Sequence, residues 1–315
     1  MRIAIFGVGG AGGYFGARLA KAGEEVVWIA RGAQLEALRT RGLRVESVDG
    51  DFTLGPLPAS DDPAHFGPVD AVLLGVKVWQ IREAAAAMRP LLGADTFVVP
   101  LQNGVEAAGD ANGVLGDERA VGGVAKIFCF LVEPGHLRRP GGPAAITAGE
   151  LDNRPSDRLR RFRAALEHAG LGAEAPADIH AALWEKFLFV ASAGGLGAVT
   201  RAPIGIVRTV PETRALLVRA MEEIHAVARA RGIRLTDDVV SRTLTFIDSL
   251  PPAGTASLQR DLAAGRRSEL DWWSGAVSRI GAEAGVATPV HTFIYHAMLP
   301  TELRARGAIT FPPDV

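Results

Sequence analysis

Residues 7–12 read Gly7-Val8-Gly9-Gly10-Ala11-Gly12, and they leave the chain few folds to adopt. Gly7, Gly9 and Gly12 occupy the three glycine positions of a G-x-G-x-x-G loop. Arg2 to Phe6, just before it, is a short apolar run that reads as a buried strand. Ala11 to Ala22, just after it, carries Tyr14, Phe15, Ala17, Leu19 and Ala20 at helical spacing, and Gly23 ends that helix. Strand, glycine turn and helix in this order form a dinucleotide-binding unit. The glycines permit a tight turn and close approach of the backbone to a pyrophosphate, and the helix N-terminus supplies amide donors and positive dipole. A glycine-rich turn with no ligand would not need both flanks.

The pattern continues as an α/β alternation. Glu25 to Ala30, Val69 to Val76 and Thr96 to Leu101 read as further strands, with Trp79 to Met88 as an intervening helix. This predicts a doubly wound parallel sheet with helices on both faces. Leu43 to Leu57 reads as a small hairpin insertion. Val121 to Val132, Gly135 to Arg139 and Ala144 to Ala148 read as antiparallel strands appended to the sheet. Arg154 to His168 reads as a helix and Gly172 to Ala175 as a last strand. Beyond about Asp178 the strand signals fade, and helices are expected over 179–199, 212–231, 236–249, 266–285 and 288–298. The expected organisation is therefore a Rossmann-like domain over 1–177 and an all-α domain over 178–315, the latter for substrate and dimerisation.

Composition narrows the class. Of the 315 residues, 48% are hydrophobic and 22% charged, enough apolar surface for a sizeable core, and the net charge is −1. No basic surplus suits nucleic acid. The first strand runs straight into the nucleotide loop, unlike a signal peptide, and no uninterrupted apolar run reaches the roughly 18 to 20 residues of a membrane span. The single cysteine, Cys129, excludes an intrachain disulfide and reads as a buried small hydrophobe. These features fit a reducing cytoplasm. The seven histidines show no metal-ligand spacing, and no metal site is expected.

Cofactor choice is legible at the end of the second strand. NAD-binding folds commonly place a carboxylate there for the ribose hydroxyls. Here the strand ends Trp28-Ile29-Ala30-Arg31-Gly32, and Arg31 stands where a 2′-phosphate would lie. The reading is NADP(H). Lys77 and Asn103 each follow an apolar strand, at the carboxyl edge where ligands bind in such sheets. Both could reach the nicotinamide ribose, although a surface lysine and an Asn-Gly turn are the ordinary alternatives.

Lys186 is the catalytic candidate. Its helical neighbours Ala182, Leu183, Phe189 and Val190 are apolar, and a lysine partly withdrawn from water has its charged form disfavoured, which suits proton transfer. A snorkelling lysine, or one paired with Glu185, is the alternative. Glu269 reads as one acid of a mixed-charge helix, and Ser257 as a residue that could cap or bind.

Together these residues resemble the ketopantoate reductases, the 2-dehydropantoate 2-reductases, along nearly the whole chain. The resemblance rests on the loop at 7–12, Arg31, Val76-Lys77-Val78-Trp79-Gln80, Gln102-Asn103-Gly104, Leu183-Trp184-Glu185-Lys186, Ser257-Leu258-Gln259-Arg260-Asp261 and Glu269-Leu270-Asp271. It implies NADPH as hydride donor to the C2 ketone of a 2-oxo acid. Lys186 would be the general acid. Asn103 would contact cofactor and substrate, and Lys77 the cofactor. The Ala125 backbone would lie near the nicotinamide, Glu269 would bind the cofactor ribose, and Ser257 the substrate carboxylate. Such enzymes usually carry asparagines one and two turns after the lysine. Here Val190 and Gly194 stand at those substrate positions, and Ser192 is a possible substitute donor. Three functions follow as expectations: reduction of 2-dehydropantoate to pantoate, the same chemistry on a less polar carbonyl compound, and a non-catalytic NADP(H)-binding sensor. The apolar helical half is compatible with a homodimer.

Overall fold

A strand buried on both faces must be apolar throughout, and four segments of the first half meet that condition. A computed structural model of the chain describes residues 1–312. Its first compact unit, Met1–Leu183, runs β1 (Arg2–Phe6), α1 (Gly10–Lys21), β2 (Glu25–Ile29), α2 (Gly32–Thr40), β3 (Leu43–Ser47), β4 (Phe52–Leu54), β5 (Ala59–Ser60), β6 (Val69–Leu74), α3 (Ile81–Ala87), β7 (Leu92–Pro100), α4 (Ala107–Leu115), β8 (Gly122–Ile127), β9 (Phe130–Glu133), β10 (His136–Arg139), β11 (Ala144–Gly149), α5 (Asp157–His168) and β12 (Gly172–Glu174). β5-β2-β1-β6-β7 form a wholly parallel sheet, in which Ile3 pairs with Val26 on one side and Ala71 on the other. Ile3–Phe6, Val26–Ile29, Ala71–Leu74 and Phe97–Pro100 are buried without a break, as a parallel sheet flanked by helices requires. The winding reverses between β1 and β6, and such a switch point opens a crevice at the carboxyl ends of the strands.

Two expectations are corrected here. The segment 120–148 meets the parallel sheet at its start, where Val98 of β7 bridges Ala120 in parallel, but its strands then pair elsewhere. β8 and β11 pair antiparallel and β12 joins β11 in parallel, giving a separate three-stranded sheet. The β3–β4 hairpin recruits β10 in parallel and then β9, giving a four-stranded sheet. The hairpin insertion thus supplies the edge that captures the later strands, a long-range pairing that local pattern does not encode. The segment read as one strand over Val121 to Val132 also breaks at Phe128-Cys129.

α6 (Ile179–Thr200) begins in the first unit. Ile179, fully buried, lies on two glycines: a Cβ at Gly122 would sit 2.3 Å from its Cγ1, and one at Gly149 2.8 Å from its Cβ. Asp178 Oδ1 accepts the N–H groups of His180 and Ala181, closing the first turn. The first turn of α6 therefore packs on the β8–β11 sheet, and the two compact units divide within this helix, at Leu183/Trp184. By length and mean hydropathy α6 could cross a membrane, but 56% of its most apolar window is buried inside the protein, as in a core helix.

The second unit, from Trp184 onward, adds α7 (Ile204–Thr209), α8 (Pro211–Ala230), α9 (Val239–Ser249), α10 (Ser257–Ala263), α11 (Ser274–Glu283) and α12 (Pro289–Ala305), with no strand among the described residues. The helix expected over 266–285 starts only at Ser274, after a single 3-10 turn at Leu270–Trp272. Gly265, at φ 64°, ends the path of α10. Glu302, fully buried on α12, then accepts the Ser268 N–H at 2.9 Å and its hydroxyl as well. A backbone amide committed to a distant carboxylate cannot join a helical ladder.

His291, buried in α12, contacts Ser274 Oγ at 3.3 Å and the Ala220 carbonyl at 3.0 Å. Burial holds its pKa down to about 4. The folded ring stays neutral where the unfolded one, with its ordinary value near 6.5, takes a proton. Stability is therefore intact above about pH 6.5 and lost as pH falls toward 4, by up to about 3 kcal/mol. Glu223, whose carboxyl is raised by burial and accepts the Val290 and His291 N–H groups, acts in the opposite sense. Comparing Tm across this window in wild type and His291→Gln isolates the histidine: the variant is expected to lose less stability on acidification.

Candidate active site

The residues singled out in the first unit gather at one edge of the sheet. Gly7 follows β1 directly, Arg31 lies two residues beyond β2, Lys77 three beyond β6 and Asn103 three beyond β7. These four strands are neighbours and parallel, so all four positions stand at their carboxyl ends. Backbone bonds tie the ends together: Gly7 N–H donates to Ile29 at 3.0 Å, Gly75 N–H to Phe6 at 2.8 Å and Leu101 N–H to Leu74 at 3.0 Å.

Three loop glycines are required by the chain itself. Gly7 has φ 98°, and a Cβ there would meet Val76 N at 2.7 Å. At Gly12 it would meet the Gly7 carbonyl oxygen at 2.3 Å, and at Gly10 the Cys129 carbonyl oxygen at 2.3 Å. Gly9 differs: a Cβ there would meet nothing within 4 Å. Gly9 is also the N-cap of α1, which has no side-chain cap and no acidic residue in its first turn. Uncapped amides beside an open glycine fit the requirement for close approach of a pyrophosphate.

Val8 is buried, and its carbonyl accepts the Gln34 amide at 3.1 Å. The Gln34 carbonyl accepts the Gly135 N–H at 2.9 Å. Gln34, on α2, thus braces the nucleotide loop against the β9–β10 turn; α2 itself was not expected. Gln102 is a second bracing amide. It donates from Nε2 to Leu74 at 2.9 Å and Val76 at 2.8 Å, fixing the backbone that leads to Lys77 and Asn103. Its own place inside Gln102-Asn103-Gly104 was the available signal; Gln34 offered none.

Lys77 is exposed, with Nζ 5.8 Å from the Trp79 ring centroid. Asn103 is half-buried. Arg31 is exposed and pairs with Glu83 of α3 at 3.0 Å, so a 2′-phosphate approaching it meets a carboxylate already there. Ala125 is buried in β8 opposite Ile146. Cys129 is half-buried, and burial, against the pull of the Arg139 charge, raises its thiol to about 12, too high for a thiolate at neutral pH. Among the described residues no group of three His, Cys, Asp or Glu could hold a metal ion.

In the second unit, Lys186 and Val190 are half-buried on one stripe of α6, while Glu185 pairs with Arg242 of α9 at 3.0 Å. Ser192 is fully buried and its hydroxyl has no partner; at about 100° per residue it lies on another side of the helix from Lys186. The expectation that Ser192 substitutes as a substrate donor is therefore corrected. Gly194 is occupied from outside: a Cβ there would lie 2.4 Å from Trp273 Cζ3 and 3.2 Å from the Ala256 Cβ. A Cβ at Gly197 would lie 2.7 Å from Gln259 Oε1. Small residues on α6 thus seat the start of α10, with Ala256, the residue before Ser257, against Gly194. Ser257 is the first residue of that helix, not its cap, which is Ala256. One turn on, Arg260 donates to Thr255 Oγ1 at 3.1 Å, and burial lowers its pKa. Glu269 is buried and non-helical. Its neighbours are held on both sides, Ser268 by Glu302 and Asp271 by Arg306 at 2.7 Å, with Arg306 also bound to Glu302 at 2.7 Å. Trp273 and Glu302 were missed because their roles depend on contacts across the chain.

Comparison with known proteins decides the family. The model described as ketopantoate reductase PanE/ApbA matches residues 3–153, and its C-terminal counterpart matches 178–302. A 2-dehydropantoate 2-reductase of Mesorhizobium japonicum is 31% identical, with 92% of this chain and 94% of that protein covered. The chain belongs to the ketopantoate reductase family. It is an oxidoreductase acting on CH–OH groups, dependent on a pyridine nucleotide. A homologue from Caulobacter vibrioides named 2-dehydropantoate 2-reductase is also 31% identical, over 93% of this chain and 96% of its own. The crystal structure of a PanE/ApbA family ketopantoate reductase from Ralstonia eutropha has a TM-score of 0.89 at 32% identity, covering 97% of this chain and all of that one. A D-mandelate dehydrogenase solved with NADH and anilino(oxo)acetate shares the fold, with a TM-score of 0.88 at 22% identity over 97% of this chain and 99% of that one.

The open side of Gly9 yields a direct test. Gly9→Ala should change folding stability by less than about 1 kcal/mol, yet weaken pyridine nucleotide binding at least tenfold in a calorimetric titration. Gly10→Ala should instead destabilise the fold by about 1–3 kcal/mol, because its Cβ meets a backbone carbonyl. The reverse order would remove Gly9 from the nucleotide site.

Proposed function

We propose that this protein is an NADPH-dependent reductase of 2-oxo acids, with 2-dehydropantoate the first candidate because curated relatives carry that activity in their names. The observation that carries the reading is the alignment of the open Gly9 with Arg31, Lys77 and Asn103 at the carboxyl ends of adjacent strands. Bound there, the nicotinamide supplies a hydride to C2 of the substrate. The amides at the start of α1 hold the pyrophosphate, and Arg31 takes the 2′-phosphate. Lys77 and Asn103 bind the cofactor, Glu269 accepts from its ribose hydroxyls, and the Ala125 backbone borders the nicotinamide.

Lys186 acts as the general acid, giving its Nζ proton to the oxygen that develops charge at C2, where a cation and a proton are both needed. Asn103 orients the carbonyl, Ser257 donates to the carboxylate, and Val190 and Gly194 border the substrate side chain. A reducing cytoplasm suits a chain whose one thiol is protonated and half-buried.

Lys186→Ala should lower kcat by about 10²–10⁴-fold with the NADPH Kd little changed; a near-normal kcat removes Lys186 from proton transfer. Arg31→Ala should raise KM for NADPH far more than for NADH, and Glu83→Gln, by freeing the guanidinium, should lower KM for NADPH. Equal effects on both nucleotides would contradict the 2′-phosphate assignment.

A further inference from the structure

Val8 and Gly9 share one peptide group, and its two polar ends face opposite ways. A trans peptide is planar, so its carbonyl and its N–H point in opposite directions. The Val8 carbonyl accepts from Gln34 Nε2 at 3.1 Å, and the Gly9 N–H is therefore aimed away from Gln34. Gly9 is also the loop residue where a Cβ would meet nothing within 4 Å. Its own carbonyl is committed to the Gly13 N–H at 2.8 Å, at the start of α1.

The loop does not secure this orientation by itself. Glycine takes φ of either sign, and the φ of −89° at Gly9 reverses if the 8–9 peptide turns over. The reversed peptide would present the Val8 carbonyl to a phosphate and withdraw the amide. Gln34 opposes that from a fixed position. Its carbonyl accepts the Gly135 N–H at 2.9 Å. Gly135 can only donate there and Val8 can only accept, so the Gln34 amide has one possible orientation. The turn that holds it is itself pinned: the Gly135 carbonyl accepts the Arg44 N–H at 2.8 Å, and the Pro134 carbonyl accepts from Arg41 at 3.2 Å.

We infer that Gln34 is a positioning residue for the cofactor, holding the Gly9 N–H toward the pyrophosphate. This rests on the reading of residues 7–12 as the nucleotide loop. The bond from Gln34 also polarises the shared peptide, which strengthens the Gly9 N–H as a donor to a charged oxygen. The pyrophosphate is common to NADPH and NADH, so Gln34 serves both nucleotides alike. Arg31, the N-cap residue of the same helix, would instead tell them apart through the 2′-phosphate.

Gln34→Met removes both bonds while keeping the length of the side chain. In calorimetric titrations it should weaken NADPH and NADH by the same factor, about tenfold. In a Gly9→Ala background, where the new Cβ already holds the ligand off that amide, the same change should cost less than about threefold. An unchanged Kd overturns the proposal. So does a loss confined to NADPH, which places the effect at Arg31, or a full tenfold loss in the Gly9→Ala background. If Gln34→Met fails to fold, NMR of the wild-type protein decides. A phosphate on the Gly9 N–H draws the Val8 carbonyl and Gln34 closer, so NADPH should move the Gln34 side-chain amide protons downfield, and protons that stay in place overturn the proposal. Wild-type protein that binds neither nucleotide removes the reading of the loop itself, a result distinct from binding that ignores Gln34.

Discussion

Three backbones meet where β1 and β6 end, and the candidate nucleotide loop depends on their contact. The Gly7 carbonyl oxygen lies 2.3 Å from where a Gly12 Cβ would be and 2.7 Å from where a Gly75 Cβ would be. No side chain fits at any of the three. Because they close on each other, the chain turns sharply from β1 into α1 and aims the uncapped end of that helix over the edge of the sheet. The order reversal between β1 and β6 opens space at the same place. Gln34 and Gln102 then fix the loop and the neighbouring strand ends through their amides. A ligand arriving here finds donors already positioned, so little of its binding energy goes into ordering the protein.

The helical half uses the same device with side chains as the partners. Gly194, Gly195 and Gly197 of α6 lie under Trp273, Ser274 and Gln259 respectively, each within 3.0 Å of where a Cβ would stand. Close approach of these elements places Ser257 and the Glu269 turn around α6. The turn is secured by Glu302, a fully buried carboxylate that accepts from Ser268 and Arg306. A buried charge persists only when it is satisfied in this way. The same bonds prevent 266–269 from becoming helical and so give Glu269 its placement.

The α/β half and the helical half were both legible because their signals are local. β1, β2, β6 and β7 are continuous apolar runs, and the punctuation by Pro211, Gly232 and Pro289 marks the helices that follow or precede them. The candidate residues Gly9, Arg31, Lys77 and Asn103 were found from their position relative to strand ends, which the sequence records directly. What escaped was non-local. β10 pairs in parallel with β3 across about ninety residues of chain. The packing of Ile179 on Gly122 and Gly149 joins residues about thirty to sixty positions apart. That Gly9 faces open space while Gly10 faces a carbonyl could not be read from two adjacent glycines, and the seat of Trp273 on Gly194 joins residues nearly eighty positions apart.

The central claim is that this scaffold delivers a hydride from a nicotinamide to C2 of a 2-oxo acid. Incubating the protein with NADPH deuterated at C4, on the transferred face, together with a branched 2-oxo acid tests it most directly, with the product analysed by mass spectrometry. The account requires a 2-hydroxy acid carrying one deuterium at C2. A 2-hydroxy acid without deuterium at C2, or no hydroxy acid while the nucleotide is demonstrably bound, would contradict it.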